Sequence, residues 1–269
     1  MLDSSHHEPL PAAHARRRGI YVLPNLFTTI GLFAGFYAIV QSMNGRFEHA
    51  AVAIFVAMIT DKLDGLVARM THTQSEFGVQ FDSLADMVAF GVAPALVVYV
   101  WALKGMGKLG WLAAFIYCAG AALRLAHFNT QFDVADKRYF QGLPSPSAAA
   151  LIAGLVWVVL EYEQEYGFVA WGRNRWVAWA FTVFAGITMV SFYLRFYSFK
   201  EIHFGKSVPF VALLVVVAIF LLITYEPPIV LFSFFIAYAL SGYVMWGIAW
   251  KRRKAASAAP YSRAEPDER

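Results

Sequence analysis

The sequence predicts an all-α polytopic membrane protein with about eight transmembrane helices, and three observations predict it. Of 269 residues, 59% are hydrophobic and only 15% are charged, where a soluble domain carries about a quarter charged residues. Mean hydropathy is +0.53. The apolar runs are about 20 residues long, which at about 1.5 Å per residue matches the hydrocarbon thickness of a bilayer.

In chain order the expected spans are 20–42, 47–70, 80–103, 108–127, 146–163, 175–197, 208–224 and 228–250. The first follows a polar segment, 1–19, that carries Arg16, Arg17 and Arg18. It lacks a small-residue cleavage pattern and leads into further spans, so it reads as a retained span and not as a removed signal peptide. The second and third spans hold carboxylates and the fifth and seventh are the shortest, so hydropathy alone rates these four lower. After Lys254 the chain becomes polar and rich in Ala and Ser, and 251–269 is expected to be a disordered tail. Cys118 is the only cysteine and lies in an apolar run, which excludes a disulfide framework and a cysteine metal site.

Charge sets the expected orientation. An even number of spans puts both termini on one side, together with Arg16–Arg18, Arg69, Arg124, Lys137, Arg138, Arg195, Lys200, Lys206 and the basic run Lys251–Lys254. The other side holds Arg46, Lys104, Lys108, Arg173 and Arg175, with Glu161, Glu163 and Glu165 among them. Basic residues collect on the cytoplasmic face, so both termini are expected in the cytoplasm. In this setting the net charge of +4 reads as attraction to anionic lipid, not to nucleic acid.

Four carboxylates stand out against this background. Asp61 and Asp64 are three apart, about 60° around a helix, and Asp82 and Asp86 are four apart, about 40° around. Each pair shares a helix face, and a short cytoplasmic turn can bring the two faces together. A carboxylate near bilayer depth costs about 2.5–3.5 kcal/mol, and four like charges repel one another unless a cation lies among them. Oxygen-only ligands select Mg²⁺, Mn²⁺ or Ca²⁺. Four carboxylates can hold two such ions, an arrangement suited to phosphoryl transfer. Gly65, Ala68 and Gly78 leave room beside the acids for a ligand to approach the backbone, and Arg69 can grip a phosphate. Structural ion pairs and a cation-coupled transporter are the rival readings of intramembrane acids.

The pattern Asp61-x2-Asp64-Gly65-x2-Ala68-Arg69-x8-Gly78-x3-Asp82-x3-Asp86 is identified as the signature of the CDP-alcohol phosphotransferases, with no departure. The resemblance implies a six-helix core, a homodimer and a polar cavity open to the cytoplasm. It implies that Asp61, Asp64 and Asp82 bind the metals and that Asp86 both touches a metal and acts as general base. It further implies that Gly65, Ala68, Arg69 and Gly78 contact the CDP part of the donor. Asn25 and Thr28, just after Pro24, are either donor ligands or helix caps.

Three further stretches resemble the serine-using branch of that family: Ala122-Leu123-Arg124-Leu125-Ala126-His127-Phe128-Asn129, Phe140-Gln141-Gly142-Leu143-Pro144-Ser145-Pro146, and Phe196-Tyr197-Ser198-Phe199-Lys200. The branch usually has an arginine where this chain has His127. The expected organisation is a cytoplasmic segment 1–19, a catalytic core 20–206, a C-terminal helix pair 207–250 and the tail 251–269. The expected reaction moves a phosphatidyl group from CDP-diacylglycerol to L-serine in the cytoplasmic membrane. Arg124 and Asn129 are the candidate ligands of the serine carboxylate, although Arg124 also fits a snorkelling anchor. Glycerol 3-phosphate and inositol phosphate remain alternative acceptors on the same scaffold. A His-x-Lys pair, the mark of a covalent route, is absent from the sequence, which favours direct displacement.

Overall fold

The computed structural model describes residues 13–71, 75–130, 139–166, 174–191, 193–197 and 210–258. The α-helices are α1 (Ala13–Met43), α2 (Phe47–Thr71), α3 (Glu76–Asp86), α4 (Ala93–Val98), α5 (Lys108–Thr130), α6 (Ser145–Tyr166), α7 (Arg175–Val190), α8 (Phe210–Tyr225) and α9 (Pro227–Ala258). A π-helical turn at Met87–Val92 joins α3 to α4 and a second, Tyr99–Leu103, extends α4, making one continuous rod, Glu76–Met106. Among the described residues this makes eight helical rods, each overlapping one expected span. Five are long and apolar enough to cross a bilayer: Asn25–Met43, Glu76–Met106, Lys108–Thr130, Ser145–Glu163 and Pro227–Lys251. Helix α7 is apolar but shorter, while α2 is charged at the very positions that drew attention in the sequence. The chain is an all-α integral membrane protein.

Several boundaries differ from the expected ones. Helix α1 begins at Ala13, so Arg16–Arg18 continue the first helix and do not precede it. The sixth span stops at Val190, because Ser191 leaves the helical region at φ −76 and ψ 77. Residues Arg195–Tyr197 instead form a short strand, β2, antiparallel to β1 (Tyr139–Gln141). At the C-terminus α9 runs on to Ala258, since Lys, Arg and Ala are good helix formers, so the first part of the expected disordered tail is helical. Lys137, Arg138, Lys200 and Lys206, the stretch Ser198–Lys200 and the 206/207 boundary lie outside the described residues.

Small residues let the rods approach closely. The most extensive contact is α1 on α2, through buried Ala34, Ala38, Ala50, Ala53 and Ala57. Gly35 lies so near the third rod that an added Cβ would stand 2.6 Å from the Ala89 Cα. Close backbone packing of this kind is how membrane helices associate where lipid removes the hydrophobic drive. Large apolar side chains such as Phe33, Phe36 and Phe115 point outward, as lipid-facing residues do. Helix α9 packs on the core: Phe235 meets Phe55, and the Tyr243 and Thr188 hydroxyls are 2.6 Å apart.

Candidate active site

The acidic pocket forms where α2 and α3 meet beside α1. Ser75 caps α3, its hydroxyl accepting from the Gly78 amide at 3.0 Å, which fixes where the helix carrying Asp82 and Asp86 begins. One carboxylate oxygen each from Asp61, Asp64 and Asp82 lie within 4.8 Å of one another. Asp86, one turn beyond Asp82, lines the same pocket with Thr28, Gly31, Ala57 and Phe90. The free volume is about 10 Å³, the scale of one water-sized occupant. Asp64 is buried, only 5% exposed, and accepts a hydrogen bond from the Thr28 hydroxyl at 3.0 Å.

Charge balance decides what the pocket can hold. Among the described residues the cation paired with the trio is Lys62, 3.6 Å from Asp61 and 77% exposed, and a pair with so exposed a partner is worth little. Three carboxylates in so small a space need a more compact positive charge. An all-oxygen donor set at this spacing fits a hard divalent cation.

The other residues of the signature lie on the same two helices, α2 and α3. Gly65 faces open space, with nothing within 4 Å of an added Cβ, so packing within the protein does not require a glycine there. Arg69 folds back along α2, its Nε donating to the Gly65 carbonyl at 2.8 Å, and Ala68 is half-buried between them. At Gly78 an added Cβ would lie 3.4 Å from the Asn25 Oδ1, so Asn25 stands beside the start of α3. Neither Asn25 nor Thr28 is a helix N-cap, since α1 starts well before them. Thr28 instead holds the Asp64 carboxylate.

The rod behind Asp86 is irregular for a reason visible in the sequence. In an α-helix the Phe90 carbonyl would accept from the residue four ahead, which is Pro94 and has no N–H. Tyr117 of α5 is fully buried and donates its hydroxyl to that carbonyl at 3.0 Å. The π-helical turn Met87–Val92 therefore sits directly after Asp86, with α1 against it at Ala89 and α5 against it at Phe90.

A separate polar group lies on α5 and α6. Arg124 is 7% exposed; its Nη1 donates to the Ser145 hydroxyl at 3.2 Å, and its buried Nε has no hydrogen-bond partner among the described residues. Asn129 donates through Nδ2 to the Ser83 hydroxyl at 3.0 Å. His127 is half-buried on the same helix. Arg124 also has electrostatic partners in Asp86 and in Tyr238 of α9. Sequence reading did not single out Ser145, Tyr238, Ser83 or Tyr117. Ser145 had a signal, its place in Pro144-Ser145-Pro146, whereas Tyr238 is one tyrosine in an apolar helix with nothing to mark it.

Comparison with known proteins agrees with this geometry. The CDP-alcohol phosphatidyltransferase family matches residues 21–184. The chain is similar to a CDP-diacylglycerol–serine O-phosphatidyltransferase of Helicobacter pylori, 35% identical over 228 residues, 84% of this chain and 92% of that one. Proteins of the same description in Mycobacterium tuberculosis and Methanocaldococcus jannaschii are each 34% identical. The first matches over 168 residues, 60% of this chain and 58% of the relative; the second over 145 residues, 54% and 65%. The family match begins in α1, spans the whole aspartate pocket and continues into α7, and on that ground the chain belongs to the CDP-alcohol phosphatidyltransferase family.

Proposed function

We propose that the protein transfers the phosphatidyl group of CDP-diacylglycerol to L-serine, giving phosphatidylserine and CMP. The observation that carries the reading is the convergence of the Asp61, Asp64 and Asp82 oxygens within 4.8 Å in the pocket that Asp86 also lines. Serine as acceptor is supported by the names of the relatives and by the buried Arg124 beside the acids.

Asp61, Asp64 and Asp82, with Asp86 as a further ligand, would hold two Mg²⁺ or Mn²⁺ ions. When bound there, such ions neutralise the phosphate oxygens and the charge that develops in the displacement. The chain's own residues do the rest. Thr28 orients the Asp64 carboxylate. Gly65, Ala68 and Gly78 admit the cytidine diphosphate close to the backbone, with Asn25 at its edge, and the guanidinium of Arg69 supplies donors for a phosphate. Arg124 and Asn129 bind the serine. Asp86 takes the proton from the serine hydroxyl as that oxygen bonds to the phosphorus carrying diacylglycerol. The bond from that phosphorus to the CMP oxygen breaks, and CMP leaves. The site and both termini face the cytoplasm, the side on which basic residues concentrate, and the enzyme is a homodimer in the cytoplasmic membrane.

Everted membrane vesicles supplied with CDP-diacylglycerol and a panel of alcohols test this by CMP release. Serine should be turned over in everted vesicles and not in sealed right-side-out ones. Release with glycerol 3-phosphate or inositol phosphate in place of serine would move the acceptor assignment, and substrate flux without CMP would overturn the reaction.

A further inference from the structure

We infer that Tyr117, together with Pro94, is a positioning residue for the reaction: the two hold open the π-helical turn after Asp86, and that turn aims Asp82 and Asp86 at the acidic pocket. The inference rests on the reading above of Asp86 as base and Asp82 as metal ligand, and it names what puts them in place.

Helical phase argues for the purpose of the turn. The Ala93 amide donates to the Val88 carbonyl, five residues back, where an α-helix would use Ala89. A turn widened in this way takes in one extra residue, and one residue is about 100° of rotation. On the far side of the turn from Asp86 the rod is fixed in the core, with Ala93, Pro94, Ala95, Val97 and Val98 all buried. Continued from there as an unbroken α-helix, the rod would bring Met87 to where Asp86 now stands and Ser83 to where Asp82 stands. A thioether and a hydroxyl would then face Asp61 and Asp64. The extra residue turns the two carboxylates back into the pocket that all four aspartates line.

Two features keep the turn from closing. Pro94 has no N–H to give the Phe90 carbonyl, and the Tyr117 hydroxyl takes up that carbonyl at 3.0 Å. Tyr117 is completely buried, and its backbone is fixed by α7: an added Cβ on Gly186 would stand 2.9 Å from the Tyr117 Cα. The turn is packed from the same side. An added Cβ on Gly91 would meet the Met87 Sδ at 3.0 Å and the Ala121 Cβ at 3.2 Å, so Met87 folds over the turn beside α5. Contact therefore runs without a gap from α7 through Tyr117 to the turn, and Asp86 is the residue before it.

Satisfying a buried carbonyl is a service that any donor can give. A hydroxyl from a neighbouring helix gives register as well. An amide at position 94 would satisfy the same carbonyl only by closing the α-helical ladder, and closing it rotates Asp82 and Asp86 out of the pocket. The two roles therefore make opposite predictions for an enzyme that has lost the hydroxyl and gained the amide.

The experiment uses purified full-length protein carrying Tyr117→Phe, Pro94→Ala or both, each checked as monodisperse. Three quantities are measured: kcat for CMP release, Tm, and Mn²⁺ affinity of the substrate-free protein by electron paramagnetic resonance. Tyr117→Phe removes only the hydroxyl and should lower kcat about 3- to 10-fold, the scale of one hydrogen bond. In the combined variant Tm should rise above that of Tyr117→Phe, because the ladder can close and alanine favours the helix. Its kcat should nevertheless fall below that of Tyr117→Phe, towards the roughly 100-fold loss expected of a missing base. Its Mn²⁺ affinity should fall about 10- to 100-fold, the scale of a ligand left without its support. An unchanged kcat in Tyr117→Phe would overturn the inference, as would a combined variant that turns over as fast as Tyr117→Phe or faster. Loss of Tm and turnover together in the combined variant would also overturn it, since the bond would then be a structural one. If the wild type releases no CMP with any alcohol, the phosphatidyl-transfer reading fails by itself. The Mn²⁺ titration needs no substrate and decides the turn separately: weakened binding with a recovered Tm sustains it, and wild-type affinity in the combined variant, or no binding by the wild type, overturns it.

Discussion

The two halves of the site are built differently. Its proposed donor half comes mainly from residues 61–86, whose four aspartates at helical spacing line one pocket, with Asn25 and Thr28 of α1 beside them. Its proposed acceptor half rests on Arg124 and Asn129 of α5, with Ser145 of α6 bonded to Arg124. The first needs only local geometry: spacings of three and four put carboxylates on one face, and a short connection folds the faces together. The second needs the whole bundle, with small residues bringing helices close and a strand pair fixing the entry to α6. Chemistry that every family member shares can sit in a compact motif. Selection of the acceptor can be spread over distant helices, each free to change alone.

This contrast predicts its own largest effect. Removing divalent metal with a chelator should abolish turnover, and Mg²⁺ or Mn²⁺ should restore it, because Asp61, Asp64 and Asp82 otherwise face one another with little compensation. Full activity of demonstrably metal-free enzyme would break the donor-half assignment. The next effect is smaller and more selective. Asp86→Asn should lower kcat by at least about 100-fold, the usual scale of general acid–base catalysis, while CDP-diacylglycerol still binds. A variant that only raises KM for the donor would make Asp86 a ligand and leave the base unidentified.

What the sequence revealed follows the same division. The eight rods were legible because each is an apolar run with polar breaks, and the aspartate pocket because intramembrane acids are conspicuous. Rod ends were less so. Arg16–Arg18 look like a polar leader, yet arginine is a good helix former and α1 simply continues through them. The halt of α7 at Val190 serves a pairing between β1 and β2 that no local signal announces. The bond from Tyr117 to Phe90 compensates for Pro94, so the proline was the legible half of that device. Thr28 and Asn25 could be read as caps only while the start of α1 was unknown. Arg124 was visible as a basic residue at a helix end, but whether it snorkels or is buried depends on Ser145 and α9, which lie far away in sequence.

The smallest expected effect concerns Asn129, where the two halves touch. Its Nδ2 donates to Ser83, and Ser83 stands next to Asp82 on α3, so Asn129 joins the acceptor helix to the acid-bearing one. An asparagine amide offers two donors and two acceptor lone pairs; the Ser83 hydroxyl engages one donor at 3.0 Å and one lone pair at 3.4 Å. The remaining capacity is available to serine at the same position. Asn129→Ala should therefore raise KM for serine about 2- to 10-fold, the worth of one neutral hydrogen bond, with donor KM unchanged. Ser83→Ala is the companion variant: it removes the tie and leaves the Asn129 amide in place. If both variants weaken donor and serine together, the Asn129–Ser83 bond serves to position Asp82, and serine recognition falls to Arg124 and its buried neighbours. If Asn129→Ala affects serine alone and Ser83→Ala affects neither substrate, the two halves of the site meet at a bond that α3 does not depend on.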